Sequence, residues 1–139
     1  LGHFKTIVPG KAIMLMGGIY GLLSVVLGAF AAHGLRDVIS TASLSSWQTG
    51  VTYQMSHALA LLFTGLWLQL GGPRVLAVAG VFFSVGVLGF SGSIYLLVLL
   101  QMTWLGPVTP LGGLSLIAGW VCLCLAIVRV KGSSPGQDL

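Results

Sequence analysis

Residues 48–70 read QTGVTYQMSHALALLFTGLWLQL, a stretch with no Asp, Glu, Lys or Arg. A helix needs about 20 mostly apolar residues to cross a bilayer, so this length without charge reads as a membrane span. The stretch also holds Tyr53, Gln54 and His57, polar groups that are costly in hydrocarbon unless they face inward and find partners. Its reading therefore decides both the fold class and the place to look for function.

Three further apolar runs, near 12–35, 75–100 and 110–129, are of similar length. Of the 139 residues, 56% are hydrophobic and only 6% are charged, against about 25% charged in a soluble domain. Mean hydropathy is +1.04. These values predict an all-α integral membrane protein, a four-transmembrane-helix bundle with one domain over 12–130. Residues 1–11 are expected as a cytoplasmic N-terminal segment and 131–139, polar with Gly and Pro, as a disordered cytoplasmic tail. The first run is too long for a signal-peptide core and reads as a retained span.

The net charge of +4 comes from Lys5, Lys11, Arg36, Arg74, Arg129 and Lys131, all outside or at the edge of apolar runs. That scatter is a topology signal rather than a nucleic-acid patch. Five of the six fall on the face shared by the N-terminus, the 71–74 turn and the C-terminus, which by the positive-inside rule places both termini in the cytoplasm. Trp47 and Trp104 then belong near the outer interface, Trp67 near the inner one, and Trp120 at mid-membrane. Ser45 with Gln48 fits a capping box for the second helix. Thr109 before Pro110 fits an N-cap with proline at the first helical position. Gly71, Gly72 and Pro73 should stop the second helix.

Helices in lipid associate through close packing, which favours small residues in their seams. Gly17, Gly21, Ser24, Gly28 and Ala31 follow helical spacing on the first span, as do Gly112, Ser115, Gly119, Cys122 and Ala126 on the fourth. The third carries Gly80, Ser84, Gly86, Gly89, Ser91, Gly92 and Ser93. On the second span, Tyr53, His57, Ala60 and Thr64 share a face, with Gln54 three residues before His57. Ser84, Ser91, Tyr95 and Ser24 are the candidate partners of this stripe.

The sober reading of His57 is a neutral histidine hydrogen-bonded to Gln54 or Tyr53. Two ligand readings stand beside it: a b-type haem held by His57 and His33, and a quinone or lipid at Tyr53, Gln54 and His57. Depth weakens the haem, because His33 sits near the end of its span and the two histidines differ by roughly 10 Å at ~1.5 Å per residue. His33 precedes a glycine expected to end its helix and reads as an interfacial residue bonding a free carbonyl there. Cys122 and Cys124 diverge by roughly 200° on a helix, so they read as packing residues and not as a metal pair. Asp37 is the one acid inside the expected fold. An acid/base pair, a metal cluster and a phosphate loop are all missing from the pattern. The expectation is a non-enzyme without cofactor.

GAFAAHGL (28–35), WQTGVTYQMSHALALL (47–62), FSGSIYLLVL (90–99) and GPVTPLGGLSLIAGW (106–120) together resemble the YgdD-like family. Its members are small uncharacterised bacterial inner-membrane proteins with animal four-span relatives. The resemblance covers roughly 12–130 and picks out His33, Trp47, Tyr53, Gln54, His57, Ser91, Gly92, Pro110, Gly112, Gly113 and Trp120. It implies a four-helix inner-membrane protein and no established activity. The expected role is an accessory or scaffold subunit in contact with lipid and with a membrane-protein partner or further copies of itself. A quinone-, haem- or lipid-binding protein is the alternative.

Overall fold

A computed structural model describes residues 9–130. The expectations for 1–8 and 131–139 lie outside the described residues. Four long helices account for most of the chain: α1 Gly10–Leu35, α2 Thr41–Gln69, α3 Val75–Leu100 and α4 Val108–Arg129. A single 3₁₀ turn, Thr103–Leu105, precedes α4.

The third helix covers the residues of its apolar run, 75–100, and the first and fourth helices begin a little earlier than theirs. The second begins seven residues early. Ser40, not Ser45, caps α2: its hydroxyl accepts the Ser43 N–H at 3.1 Å. The Ser45–Gln48 capping box is therefore wrong, because these residues already lie inside the helix. The expected cap of α4 is also displaced. Pro107 holds the N-cap position, so Pro110 falls at the third helical residue, still within the turn whose N–H groups have no helical partner. The end of α2 is as expected. Gly71 has φ +95°, and its N–H bonds Leu68 O at 3.1 Å while Gly72 N–H bonds Trp67 O at 2.9 Å. These two bonds form the paired closure that ends a helix on a left-handed glycine.

α1, α3 and the segment Thr103–Arg129 are each long and apolar enough to cross a membrane. α2 is long enough, at about 43 Å for its 29 residues, yet falls short in apolarity. The cause is local. Gln54, His57 and Thr64 are all buried, whereas Leu59, Leu62, Phe63 and Leu66 point outward. Exposed Thr49 and Ser56 bond carbonyls four residues back, Ser45 O at 3.1 Å and Thr52 O at 2.9 Å, which pairs their hydroxyl hydrogens within the helix.

α2 is the hub, packing against α1 and α3, while α4 packs on α3. Close backbone approach explains much of the glycine content. A Cβ on Gly10 would lie 2.5 Å from Gly65 O, and one on Gly17 would lie 2.8 Å from Ala58 O. On the other side, a Cβ on Gly119 would lie 2.6 Å from the Phe83 ring. Gly21 and Gly28 are looser than expected: their added carbons would meet Ala58 Cβ at 3.8 Å and Val51 Cγ1 at 3.4 Å. The tight seam of α1 runs through Gly10 and Gly17, and Gly65 supplies the facing hollow.

Both α1 and α3 contain one wide π turn, Ala31–Leu35 and Leu88–Gly92. The second turns Ser91 toward α2 while Gly89 meets Gly112 of α4. A π turn shifts the face on which following side chains emerge, so one helix addresses two neighbours over three residues.

Candidate functional site

The polar stripe of α2 splits into two separate clusters. In the first, Gln54 is 3% exposed. Its amide nitrogen donates to Tyr20 O of α1 at 3.0 Å, and its oxygen accepts the Tyr95 hydroxyl of α3 at 2.7 Å. Gln54 thus ties three helices with one donor and one acceptor. Ser24, buried, donates to the same Tyr20 carbonyl at 2.7 Å. Ser91, also buried, donates to Gly50 O of α2 at 2.7 Å, and Tyr20 donates its hydroxyl to Ser84 O at 2.8 Å.

The second cluster is built on His57, which is 5% exposed. Its Nδ1 lies 2.7 Å from Tyr53 O, and Trp120 Nε1 lies 2.9 Å from its Nε2. The partners fix the tautomer. A carbonyl only accepts and an indole N–H only donates, so Nδ1 carries the proton and Nε2 holds the free pair. The ring is neutral, and both nitrogens are occupied. Phe83 and Trp120 surround it with centroids at 5.5 and 5.9 Å.

Three expectations need correction. His57 and Gln54 do not bond each other: His57 turns to α4 while Gln54 turns to α1 and α3. The Tyr53 side chain is 45% exposed and leans on Phe90, centroid distance 4.7 Å; only its backbone carbonyl serves His57. Trp47 sits inside the bundle. It is fully buried, donates to Leu27 O at 3.0 Å, and packs on Tyr95 and Phe30 at 4.6 and 6.0 Å. His33 is exposed on the π turn of α1, and no described hydrogen bond gives it the expected carbonyl. Ser115 is half-buried and donates to Phe82 O of α3 at 2.8 Å. Thr64, at the far end of the stripe, is fully buried, and its hydroxyl has no partner among the described residues.

Trp120 was missed as the histidine's partner. It is 46% exposed, which suits an aromatic that covers the site from outside while directing its N–H inward. The usable signal was depth: a buried neutral imidazole needs a donor, and the one tryptophan expected at mid-membrane was available.

Chemically, this arrangement locks helices together. With Nε2 accepting from Trp120, His57 has no free pair for a metal, which opposes the haem reading on the donor's own geometry. Among the described residues no three His, Cys, Asp or Glu gather into a metal-binding group.

The Trp120–His57 bond can be weighed directly. Removing either partner, as Trp120→Phe or His57→Ala, should lower stability in detergent, and the double variant should cost less than the sum. The expected coupling is about 0.6–1.7 kcal/mol, the range for hydrogen bonds between membrane helices. Additive losses would mean that the bond is not formed.

Comparison with known proteins places this architecture in a family. The family model described as "Protein of unknown function (DUF423)" matches residues 27–113, from the end of α1 to the first turns of α4. UPF0382 membrane protein SAB0533 of Staphylococcus aureus is 41% identical over 124 residues, covering 88% of this chain and 99% of its own. UPF0382 membrane protein YwdK of Bacillus subtilis is 41% identical over 120 residues, covering 86% and 98%. No solved structure matches. With the family model spanning more than half of the chain, and these relatives matched almost end to end, the protein belongs to the DUF423 family of uncharacterised proteins, whose curated relatives here are named UPF0382 membrane proteins.

Proposed function

We propose that this is a four-span bacterial inner-membrane protein with both termini in the cytoplasm, acting as a non-catalytic accessory or scaffold subunit of a membrane assembly. The observation that carries this reading is where the polar side chains go. Gln54, Ser91, Trp47 and Trp120 spend their hydrogen bonds on neighbouring helices, and His57 accepts from Trp120 of α4 while donating within α2, which builds a rigid body and leaves apolar faces outward. Its working surface is then that exterior, offered to lipid and to a membrane-protein partner or a second copy. The four-span arrangement is supported by α2, whose Gln54, His57 and Thr64 are turned inward, and by the basic residues concentrated on one side. The YgdD-like resemblance points the same way.

A second reading has one observation in its favour. The Tyr53 ring is exposed beside His57, with centroids 6.1 Å apart and planes at 15°. A quinone or lipid lying on that ring is the binding alternative.

Extraction from native membrane in a mild detergent after brief cross-linking tests the scaffold role. A defined cross-linked partner, or a defined homo-oligomer, is expected; a chain that elutes alone as a monomer sinks the role. Topology is tested separately. A cysteine at Thr103 should be labelled from outside intact cells, and one at Ser133 should not. External labelling at Ser133 would reverse or break the four-span arrangement.

A further inference from the structure

At one end of the molecule the first turns of α2, the last turns of α3 and the start of α4 diverge around an open cleft of about 630 Å³. That size falls within the roughly 300–1,000 Å³ of small-ligand pockets. Its two walls differ in chemistry. Ala42, Ser46 and Thr49 stand at helical spacing on the α2 side, with Ser43 beside them and Thr109 opposite. The α3 wall is aliphatic, formed by Ile94, Leu97 and Val98.

The hydroxyls are not equivalent. Thr49 gives its hydrogen to Ser45 O. Ser93 gives its own to Phe90 O, so in the Ser93–Thr109 pair Thr109 is the donor. Both threonines therefore offer the cleft lone pairs only. Ser43 Oγ accepts from Ser40 and keeps its own hydrogen, and Ser46 has no hydrogen bond among the described residues. The two serines can thus donate. No charged side chain is among the described lining residues, so recognition of a phosphate or a cationic headgroup is not what this wall is built for.

We propose that this cleft seats one membrane phospholipid, with its glycerol–ester region on the hydroxyl wall and one acyl chain against Ile94, Leu97 and Val98. The proposal rests on the four-span reading, which sets the helix ends at the bilayer interface, where ester and glycerol groups meet acyl chains. Ester carbonyls accept from Ser43 and Ser46. The aliphatic wall takes the chain that hangs below. Because the wall carries no charge, the site reads the ester region and is indifferent to the headgroup.

The full chain, extracted in mild detergent, should retain one phospholipid by native mass spectrometry. Reloading after delipidation should succeed about equally with dioleoyl phosphatidylglycerol, dioleoyl phosphatidylethanolamine and dioleoylglycerol, and fail with hexadecane. Ser46→Trp, which fills the cleft, should abolish the adduct. Combined Ser43→Ala and Ser46→Ala, which removes both donors and needs no refolding of the core, should weaken reloading roughly tenfold for the hydrogen bonds lost. Leu62→Phe, on the outward face of α2, should change nothing. Retention unaltered in both cleft variants would show surface lipid only and overturn the proposal. So would a second protein chain in place of the lipid, or strict dependence on an anionic headgroup. Labelling at Thr103 reports failure of the four-span reading separately.

Discussion

Leucine at Gly112 is expected to separate α4 from α3 and leave the protein unable to hold its native packing. A Cβ at this position would overlap the backbone nitrogen of Phe90 and the carbonyl carbon of Gly89. Those neighbours are main chain within the π turn of α3 and cannot rotate away. Overpacking a well-filled site costs typically 1–3 kcal/mol, and here the loss should reach or pass about 3 kcal/mol because no flexible side chain absorbs it. The comparison is Gly18→Leu, where an added carbon meets nothing within 4 Å. Unfolding in mixed micelles should give a parental midpoint for Gly18→Leu and a collapsed one for Gly112→Leu. Equal midpoints would refute the close approach of α3 and α4.

The second large effect belongs to Trp47. Its ring is fully buried among Phe30, Tyr95 and the backbone of α1, and its N–H closes on Leu27 O. Trp47→Ala removes that packing and leaves a helix carbonyl without its extra partner, so a loss of about 3–5 kcal/mol is expected. Trp47→Phe keeps most of the packing and should cost only about 1 kcal/mol for the hydrogen bond. Calorimetric or chemical unfolding of the pair separates the two contributions. A Trp47→Ala protein as stable as the parent would refute this packing.

The contacts of Trp47 show where the sequence is legible and where it is not. Apolar run length marks the hydrocarbon-crossing part of a helix, so 75–100 emerged intact. It says nothing about how far a helix extends beyond the apolar part, so α2 was started at 48 although Ser40 already caps it. Trp47 sits seven residues into the real helix, beside a carbonyl of α1 that no local pattern identifies. The inward direction of Gln54 and His57 follows from the cost of polar groups in lipid, and Tyr95 is among the partners expected for the stripe, but Trp120 is not. Tyr95 and Trp120 lie 41 and 63 residues downstream, and the π turns that set the faces of α1 and α3 leave no clear mark in the spacing. The small-residue stripe of α1 was recognised, yet its tightest members depend on what faces them. Gly17 meets the backbone carbonyl of Ala58, whereas Gly21 meets only that residue's methyl group.

The shortfall of α2 in apolarity also bears on how the protein is made. On the four-span reading, α2 leaves the ribosome before α3 and would enter the bilayer poorly alone, since the Gln54 oxygen and His57 Nε2 still lack their donors, Tyr95 and Trp120. The close turn at Gly71 and Gly72 delivers α3 within a few residues, bringing Tyr95 and Ser91 on a strongly apolar segment. Insertion as a hairpin follows: α3 supplies the driving force, and α2 comes in with it, already opposite the side chains that satisfy its own. Trp120 arrives last, so the His57 lock closes only when synthesis of the helices is complete.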